Sequence, residues 1–364
     1  MTLQKKKRIL VICPSPVGTN PGQRLKYEQY FPHWRENHYE ITISPFQTQR
    51  FWKIIYKKGY FLEKVFWVFW GYWRRIRDLF RIPFYDGLYI YMAVTPLGPP
   101  VFEWMVCMLN PNIIFDIEDM AFIPSVSEAN KMIKHLKGTR KYTYLMEKAK
   151  HVLVSTPALG EIVKKSNPNV TDILATFDTN RFQPVKQYVH QQKTIIGWTG
   201  TQTTIPYLHL LDNVFRKIAK LRPIQVLVIS NAHYSCEGVE VVNIPWTEEQ
   251  EVSDLHKMDI GVYPVPMEPW VLGKSGCKAI TYMSVALPCV ATRYGNVVEQ
   301  VIEPEENGVL VSTEEEWISA LIDLIDHPDK REHIGKAGRD KIVRCFSVEA
   351  TKEKYLRIIK SVVG

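Results

Sequence analysis

The sequence has few cysteines and lacks a long apolar run. Its six cysteines are scattered without a C-x-x-C pair, so neither a disulfide framework nor a zinc site is suggested. Charged residues interrupt every apolar run before the ~20 residues that a membrane-spanning helix needs. The motifs G-x-G-x-x-G and H-E-x-x-H are both absent, which gives no sign of a dinucleotide fingerprint or a metal-binding histidine pair. We therefore expect a cytoplasmic, reducing environment and no bound metal.

Length and charge define the broad class of the protein. A chain of 364 residues predicts about two domains, and 46% hydrophobic residues suffice for sizeable cores. The formal net charge of +8 favours anionic partners such as nucleotides, lipid head groups or nucleic acid. Charge alone does not choose among these partners.

Strand and helix patterns alternate along the chain, which predicts an α/β fold. The stretch RILVIC is a buried-strand pattern that stops at a Pro/Gly turn and leads into a helix beginning near Gly22. Further strand–helix–strand units follow, and this repetition indicates parallel sheets. The alternation restarts at TIIGWTG, after the linker pattern FDTNRFQPVKQYVHQQK. The sequence thus predicts two similar nucleotide-binding halves, residues 1–185 and residues 186–364.

The stretch 267–292 combines a loop, a short helix and a strand, and it is the strongest candidate for a binding site. Gly273 and Gly276 flank the predicted helix start, where backbone can approach a ligand and free N–H groups point outward. Lys274 and Lys278 lie four residues apart near the same terminus, where the helix dipole prefers acidic residues. Two interpretations remain open on this pattern alone: a bound anion, or two solvated lysines on a surface helix.

The string PW-x-x-GK-x-G-x-K-x-x-x-YM-x-x-x-LP in this stretch resembles the donor-site segment of a branch of glycosyltransferase family 4. The resemblance implies the GT-B fold, in which two Rossmann-like domains face a central cleft and the last helix, here about residues 347–362, crosses back to the first domain. It implies acceptor binding by the first half and donor binding by the second. Most of the family has two glutamates where this chain has Gly273 and Thr281, and the branch with lysines tolerates that departure.

The loop from Trp198 to Thr204 resembles the start of the branch's second domain, where the diphosphate loop lies. It contains no basic residue. Backbone N–H groups of Gly200 and Thr201, and the hydroxyls of Thr201 and Thr203, remain as donors. Because a buried diphosphate without counter-charge is costly, the missing bases strengthen the case for Lys274 and Lys278.

The resemblance implies further donor contacts in both halves. The first glycine loop would face the donor, with Arg24 as an anion partner, and backbone after a later strand would hold the base. The full set of expected donor-binding residues is Gly18, Thr19, Arg24, Gly200, Thr201, Thr203, Ile244, Trp246, Lys274, Gly276, Lys278, Thr281, Tyr282 and Glu299.

Three acids follow the predicted strand from Asn112 to Phe115. Asp116, Glu118 and Asp119 could be helix N-terminal acids without a ligand, or a D-x-D metal site. The family branch carries a similar acidic string facing the cleft, so the resemblance favours acids that orient substrate hydroxyls. Together with Lys274 they are the expected catalytic residues.

The segment 50–85 mixes aromatic and basic residues. It holds four of the ten tryptophans and many bases against only Glu63 and Asp78; the bases include Lys53, Lys57, Lys58, Lys64, Arg74, Arg75, Arg77 and Arg81. Such a segment is typical of a helix that binds an anionic membrane surface. The alternatives are a helical hairpin packed on its own domain, or a nucleic-acid site, for which no base-reading motif is present.

Together with these patterns, the resemblance implies a metal-independent glycosyltransferase that needs no cofactor besides its nucleoside diphosphate sugar donor. A glycan or lipid-linked acceptor, retention of configuration and a role in polysaccharide or lipopolysaccharide synthesis are what the resemblance implies. The expected partners are the donor, the acceptor and the inner face of the plasma membrane, but not nucleic acid. A nucleotide-sugar 2-epimerase and a non-catalytic nucleotide-sugar-binding protein remain as alternatives.

Overall fold

Two six-stranded parallel sheets organise the chain in this computed structural model. The structure describes residues 6–55, 57–120, 122, 138–184, 192–295 and 297–364. Contacts divide the chain into a first unit, Met1–Leu174 with Lys352–Gly364, and a second unit, Ala175–Thr351. The division thus follows Leu174, whereas the sequence predicts it after residue 185, and the C-terminal residues belong to the first unit.

The first unit is built on a sheet whose strands are fully parallel. Its strands are β1 (Lys7–Cys13), β2 (Tyr39–Pro45), β3 (Gly87–Tyr91), β4 (Ile113–Ile117), β5 (His151–Val154) and β6 (Val170–Asp172), in the order β2-β1-β3-β4-β5-β6. Strands β3 and β4 are buried along their whole length, as expected where helices cover both faces of a parallel sheet.

Eight helices accompany this sheet in the described part of the unit. They are α1 (Pro21–Lys26), α2 (Phe31–Glu36), α3 (Gln49–Ile54), α4 (Phe61–Arg81), α5 (Val101–Leu109), α6 (Arg140–Lys148), α7 (Pro157–Lys164) and α15 (Val348–Val363), which belongs to this unit from Lys352 onward. Side chains of Asn20, Thr48 and Thr156 cap the first turns of α1, α3 and α7. Tyr355 of α15 packs on Tyr30, with ring centroids 4.4 Å apart.

The second unit repeats the parallel design. Its strands are β7 (Thr194–Thr199), β8 (Ile224–Ile229), β9 (Val241–Ile244), β10 (Ile260–Tyr263), β11 (Cys289–Thr292) and β12 (Val309–Val311), in the order β12-β11-β10-β7-β8-β9. Its helices are α8 (Ile205–Leu208), α9 (Asp212–Ala219), α10 (Glu251–Leu255), α11 (Cys277–Ser284), α12 (Val298–Val301), α13 (Glu314–Asp326) and α14 (Pro328–Lys341), before a π-helical turn at Ile342–Phe346.

The predicted elements differ from the observed ones in two places. Strand β4 continues to Ile117, so Asp116 lies within the strand rather than after it. The basic helix predicted from about Ser127 to Lys150 falls partly on residues 123–137, which lie outside the described residues; the described part begins at Arg140. None of the helices in the described ranges combines the length and apolar character needed to cross a bilayer.

Candidate active site

The sheet of the second unit has its switch point between β7 and β10. From β7 the chain runs outward to β8 and β9, whereas β10, β11 and β12 lie on the other side. In open parallel sheets, ligands bind beyond the carboxyl ends of the strands at such a point. The loop after β7 and the loop 264–276 after β10 therefore border the expected binding crevice of this unit.

Helix α11 begins at this switch point. Gly276 precedes it with φ of +67°, a left-handed conformation that suits glycine. No acidic residue lies in the first turn, where Lys278 stands instead. The ammonium of Lys274 lies 5.5 Å from the centroid of the Trp270 ring, and both lysines are half-buried. The structure thus brings the two predicted lysines to one helix N-terminus, the end whose partial positive charge favours anions.

Lys278 lies against two aromatic rings. Its Nζ is 5.5 Å from the ring centroid of Trp198 and 5.4 Å from that of Tyr263. These distances fall within the range of cation–π attraction. Both rings are buried, and they come from the carboxyl-terminal ends of β7 and β10. The lysine therefore lies beside the switch point itself.

Tyr282 attaches α11 to the sheet. Its hydroxyl accepts the Thr199 N–H at 3.0 Å and donates to the Val262 carbonyl at 3.3 Å. A Cβ on Gly261 would lie 2.4 Å from the Tyr282 ring, so only glycine leaves room for it. The Thr281 hydroxyl donates to the Cys277 carbonyl at 2.8 Å. Tyr282 and Thr281, both predicted ligand contacts, are buried structural residues here.

The predicted diphosphate loop uses most of its donors internally. The Gly200 N–H donates to the Ile229 carbonyl at 3.2 Å, and the Thr201 N–H donates to the Thr204 hydroxyl at 3.1 Å. Both N–H groups are therefore used within the unit in this arrangement, and their role toward a diphosphate stays a prediction. The hydroxyls of Thr201 and Thr203 lie 2.9 Å apart on exposed side chains, so these two groups remain at the surface.

The other predicted donor residues of this unit lie at the same edge of the sheet. The Ile244 carbonyl, at the end of β9, accepts the Ser230 N–H at 2.9 Å. The Trp246 indole N–H donates to Glu251 at 3.3 Å. Glu299 is exposed and accepts the Gly295 N–H at 2.5 Å. Glu299 thus holds a turn after β11, while the side chain of Trp246 is tied to helix α10.

In the first unit, Asp116 belongs to the core. It forms an ion pair with Lys26 and accepts a hydrogen bond from Tyr89, and no part of its side chain is exposed. Burial raises the pKa of Asp116, while the charge of Lys26 opposes that rise. Because it is fully enclosed, Asp116 does not contact a ligand in this arrangement. The structure thus shows Asp116 in a buried ion pair, and its catalytic role stays a prediction.

Glu118 and Asp119 lie just beyond the carboxyl end of β4 and are half-buried. Glu118 accepts a hydrogen bond from the hydroxyl of Tyr91. A Cβ on Gly22 would lie 2.4 Å from Glu118 Oε2, so the start of α1 packs directly on this carboxylate. Burial raises the pKa of Glu118, against the lowering effects of Lys26 and of the Tyr91 hydrogen bond. Asp119 has φ of +56°, an uncommon conformation for a non-glycine residue.

The first glycine loop is held by its own side chains. The Gly18 N–H donates to Glu28 at 2.9 Å, and the Thr19 hydroxyl donates to the Pro16 carbonyl at 2.6 Å. Arg24 is buried, with 8% of its surface exposed. The structure therefore places these three predicted donor residues inside a self-contained loop and helix.

Sequence reasoning missed the residues that support the predicted ones: Lys26, Tyr89, Tyr91, Trp198 and Tyr263. A signal existed for the tyrosines. Tyr89 and Tyr91 are two residues apart on β3. Asp116, on β4, and Glu118, just beyond its end, are also two residues apart. Because side chains alternate between the faces of a strand, this spacing places each pair on one face of the sheet. No local pattern indicated Lys26, whose partner lies ninety residues away in the sequence.

The second unit contains the part of the chain that matches a known protein family. Residues 193–327 match the family described as Glycosyl transferases group 1. This stretch of the second unit is thus similar to that family, and it contains the switch point, Lys274 and Lys278. Among curated proteins, none matches the sequence.

Solved structures match nearly the whole chain at low sequence identity. A glycosyltransferase from Rickettsia africae is 13% identical, with 99% of each chain covered and a TM-score of 0.71. Sucrose-phosphate synthase from Thermosynechococcus elongatus is 14% identical, with 98% of this chain and 99% of that chain covered and a TM-score of 0.69. HepE of Anabaena, in complex with UDP and glucose, is 12% identical, with 98% and 100% covered and a TM-score of 0.67. The predicted GT-B fold is confirmed.

Proposed function

We propose that the protein transfers a sugar from a nucleoside diphosphate sugar to a glycan or lipid-linked acceptor, within the family 4 branch that its donor-site motif resembles. The observation that supports this most is the pair Lys274 and Lys278 at the switch point of the group 1 domain. Retention of configuration, independence from metal ions and a role in bacterial-type polysaccharide or lipopolysaccharide synthesis are parts of the same proposal.

The proposed chemistry is electrostatic. As the glycosidic bond to the donor phosphate breaks, the leaving diphosphate gains negative charge, and cations already in position stabilise that charge. Lys274 and Lys278 would serve this role with the first N–H groups of α11, because helix N-termini favour anions. Lys274, which precedes the helix, would be the catalytic member, and the exposed hydroxyls of Thr201 and Thr203 would add hydrogen bonds.

Glu118 and Asp119 are the acids that we propose for substrate hydroxyls. Both are half-buried beyond the end of β4, unlike Asp116, which is enclosed with Lys26. A carboxylate at such a place can accept hydrogen bonds from sugar hydroxyls and fix their orientation. With retention of configuration, neither acid needs to act as a general base toward the acceptor.

The geometry of α4 supports a proposed membrane contact. The buried face of this helix carries Gly71, Arg75 and Asp78, at a spacing of one helical face. Arg75 donates to Asp78 at 3.0 Å and to the Cys13 carbonyl at 2.9 Å, and it is 1% exposed. Arg75 is therefore a core residue, which corrects its predicted place among the lipid-binding bases.

The opposite face of α4 is an apolar stripe open to solvent. The stripe consists of residues spaced three or four apart: Leu62, Phe66, Phe69, Trp73, Ile76 and Phe80. Trp73 is 60% exposed and Phe80 is 76% exposed, so their rings do not pack in the unit's core. Helix α5 adds exposed Trp104 and Met108, which sequence reasoning missed. Apolar surface of this extent marks an interaction site.

Charge beside the stripe favours a lipid surface over an apolar protein partner. Lys53, Lys57, Lys58 and Arg77 are exposed in the same segment, whereas Glu63 pairs with Arg50 at 2.7 Å. Aromatic rings with flanking bases suit the interface of an anionic bilayer. We propose that α4 holds the protein on the inner face of the plasma membrane, in the cytoplasm, where a lipid-linked acceptor is available.

Donor turnover tests the proposed activity. HepE structures contain UDP and UDP-glucose, so UDP-glucose is the first donor to test, followed by GDP-, dTDP- and CMP-sugars. We expect one donor to raise the melting temperature and to release its nucleotide in the presence of acceptor, with unchanged rates in EDTA. A loss of rate in EDTA that magnesium restores would contradict metal independence.

The same experiment separates the alternatives. A nucleotide-sugar 2-epimerase would convert the donor sugar without acceptor and without releasing nucleotide by transfer. A non-catalytic binding protein would show the thermal shift alone, since a ligand at a hundred times its dissociation constant stabilises by about 2.7 kcal/mol. Absence of shift with every donor would contradict all three functions.

A further inference from the structure

The side chain of Glu118 is held by one of its two carboxylate oxygens. Its Oε2 accepts a hydrogen bond from the hydroxyl of Tyr91, the last residue of β3. Its Oε1 makes no hydrogen bond among the residues that the structure describes. Because Glu118 is half-buried just beyond the end of β4, this second oxygen can accept a hydrogen bond from a ligand.

The hydroxyl that holds Glu118 is itself fixed in place. Tyr91 is 3% exposed, and its ring centroid lies 5.2 Å from that of Tyr27. Gly22 of α1 lies against the hydrogen bond, because a Cβ on it would be 2.4 Å from both Glu118 Oε2 and the Tyr91 hydroxyl. Any side chain at position 22 would therefore need the space that this hydrogen bond occupies.

Uncommon backbone conformations follow both partners of the hydrogen bond. Met92, the residue after Tyr91, has φ of +64°, and Asp119, the residue after Glu118, has φ of +56°. The Glu118 N–H donates to Met92 Sδ at 3.2 Å, which connects the two turns. Left-handed conformations of non-glycine residues are unfavourable, and they concentrate at functional sites. The two turns therefore indicate a functional site at this edge of the first sheet.

We propose that Tyr91 and Gly22 fix Oε2 of Glu118 so that its Oε1 is presented to a substrate hydroxyl. This inference rests on the proposed function, because it assumes that Glu118 orients a hydroxyl of the donor or the acceptor. Tyr91 and Gly22 are positioning residues, since both act through the carboxylate. A carboxylate that is already held at one oxygen loses less side-chain entropy when it binds its ligand.

The charge of Glu118 depends on groups from α1, β3, β4 and the turn after β4. Burial raises the pKa of Glu118 most, and the charges of Asp116 and Asp119 add to that rise. Lys26 and the hydrogen bond from Tyr91 oppose it. Tyr91→Phe removes the hydrogen bond and keeps the three charged neighbours. The pKa of Glu118 should therefore rise further in this variant.

Urea unfolding as a function of pH measures this change without a ligand. The difference between each protein and the same protein with Glu118→Gln isolates the proton on Glu118. Because the folded-state pKa is raised, the stability that this proton contributes is lost as pH rises through that value. We expect the loss to extend about one pH unit higher in Tyr91→Phe than in wild type. An unchanged pH range would overturn the inference.

Tyr234→Phe is the matched control for the lost hydroxyl. It removes a tyrosine hydroxyl that also donates to a carboxylate, that of Asp212 at 2.6 Å, but in the second unit. We expect the pH range that belongs to Glu118 to stay at its wild-type position in this variant. Movement of the range by the same amount in Tyr234→Phe and Tyr91→Phe would overturn the inference, since it would not depend on contact with Glu118.

Turnover shows whether the hydrogen bond serves the substrate. The assay follows UDP release from UDP-glucose, with octyl glucoside as a glycolipid acceptor. In Tyr91→Phe we expect the acidic limb of kcat to move up by about one pH unit, which lowers the rate on that limb about tenfold, while UDP affinity stays at the wild-type value. A uniform loss at every pH together with weaker UDP binding would indicate a general structural effect and would overturn the inference.

Gly22→Ala disturbs the same hydrogen bond from α1 and keeps every polar group. Because the added Cβ must displace Glu118 Oε2 or the Tyr91 hydroxyl, we expect the same upward movement in the titration and in the acidic limb. Gly160→Ala is its control, since a Cβ on this helical glycine of the first unit would meet Val154 at an ordinary 3.6 Å. Wild-type behaviour of Gly22→Ala would overturn the part of the inference that concerns Gly22.

The same variants separate this inference from the proposed function. If Glu118→Gln turns over like wild type, the proposed role of Glu118 toward substrate fails. If Glu118→Gln is impaired while Tyr91→Phe keeps the wild-type titration and pH profile, the positioning by Tyr91 alone fails. If wild type releases no nucleotide from any nucleotide sugar, the proposed transfer itself fails, whatever the titration of Glu118 shows.

Discussion

The two units treat their charged side chains differently, although both are parallel sheets with a switch point. In the first unit, charges are paired within the core: Lys26 with Asp116, and Arg75 with Asp78. In the second unit, Lys274 and Lys278 lie against rings at the sheet edge. Core pairs fix the structure of the first unit, whereas these two lysines are half-buried beside the start of α11, where an anionic ligand is proposed to bind.

This difference matters because fold alone does not assign function. The parallel sheets would serve many nucleotide-binding proteins equally well. The arrangement at the β7–β10 switch point is what favours an anionic ligand in the second unit. In the first unit, Glu118 and Asp119 are the only two of the three predicted acids that a ligand can reach from outside the core.

The largest effect should come from breaking a core pair. Lys26→Met leaves Asp116 buried without its cation, and removing one partner of a buried pair costs about 3–5 kcal/mol. Urea unfolding measures this change. Lys7→Met is the control, because its pair with Asp86 is partly exposed and such pairs contribute about 1 kcal/mol or less. Similar losses in both variants would show that the Lys26 pair is not the important contact.

A smaller effect, on binding rather than stability, is expected at the edge lysines. Lys274→Ala or Lys278→Ala removes one charge-assisted contact of about 1.5–3 kcal/mol, which corresponds to roughly tenfold to a hundredfold weaker nucleoside diphosphate binding. The melting temperature should stay near that of wild type, since both side chains lie at the sheet edge. Unchanged affinity in both variants would refute their assignment to the diphosphate.

Glu118 should link stability and transfer to pH. Its folded-state pKa is raised, mainly by burial, so the folded protein binds this proton more tightly than the unfolded chain. The stability contributed by this proton is therefore present below the usual glutamate pKa and is lost as pH rises through the raised value. Glu118→Gln should remove that slope in urea unfolding and lower transfer about tenfold, if it loses one charged hydrogen bond to the substrate.

A control and a contrary result complete this experiment. Glu240→Gln changes an exposed glutamate whose pKa is lowered by Lys193, so it should not remove the same slope. If Glu118→Gln retains the wild-type dependence on pH, burial of Glu118 does not control it. If transfer stays at the wild-type rate, Glu118 has no role in orienting substrate.

The sequence predicted the architecture well because the spacing of apolar residues and the positions of proline and glycine are local signals. The buried run at Ile9–Cys13 and the Lys274–Lys278 spacing needed no tertiary information. The partners of those residues could not be predicted in the same way. Trp198 and Tyr263 are sixty-five residues apart and meet Lys278 only because β7 and β10 are neighbours in the sheet.

Local pattern also failed where charge was buried. In sequence, Arg74, Arg75 and Arg77 are equivalent bases beside aromatic residues. In the structure, Arg75 is 1% exposed and Arg77 lies at the surface, because Gly71 lets the helix approach Phe46 closely. Predicting burial from a pattern of apolar and charged residues assumes that the apolar face of a helix is buried. In α4 the apolar face is exposed instead, and the buried face holds an ion pair.

The smallest predicted effect is the charge contribution to membrane binding. Arg77→Gln removes an exposed base beside the apolar stripe, and a base near an anionic surface contributes about 1 kcal/mol. We expect about fivefold weaker co-sedimentation with vesicles that contain acidic phospholipid. The difference should shrink at high salt, since charges are screened within roughly 10 Å at 0.1 M. Lys220→Gln, an equal charge change on the second unit, should leave binding unchanged.

The apolar part of the same experiment decides what occupies the stripe. Phe69→Ser with Trp73→Ser should abolish vesicle binding at every salt concentration without loss of stability, because both side chains are largely exposed. If wild type stays in the supernatant at low salt and sediments in ultracentrifugation as a dimer that these variants dissociate, the stripe is a contact between two copies. Because a leucine-and-aromatic stripe spaced three and four apart suits either partner, the dependence on acidic lipid and the effect of Arg77→Gln discriminate between them.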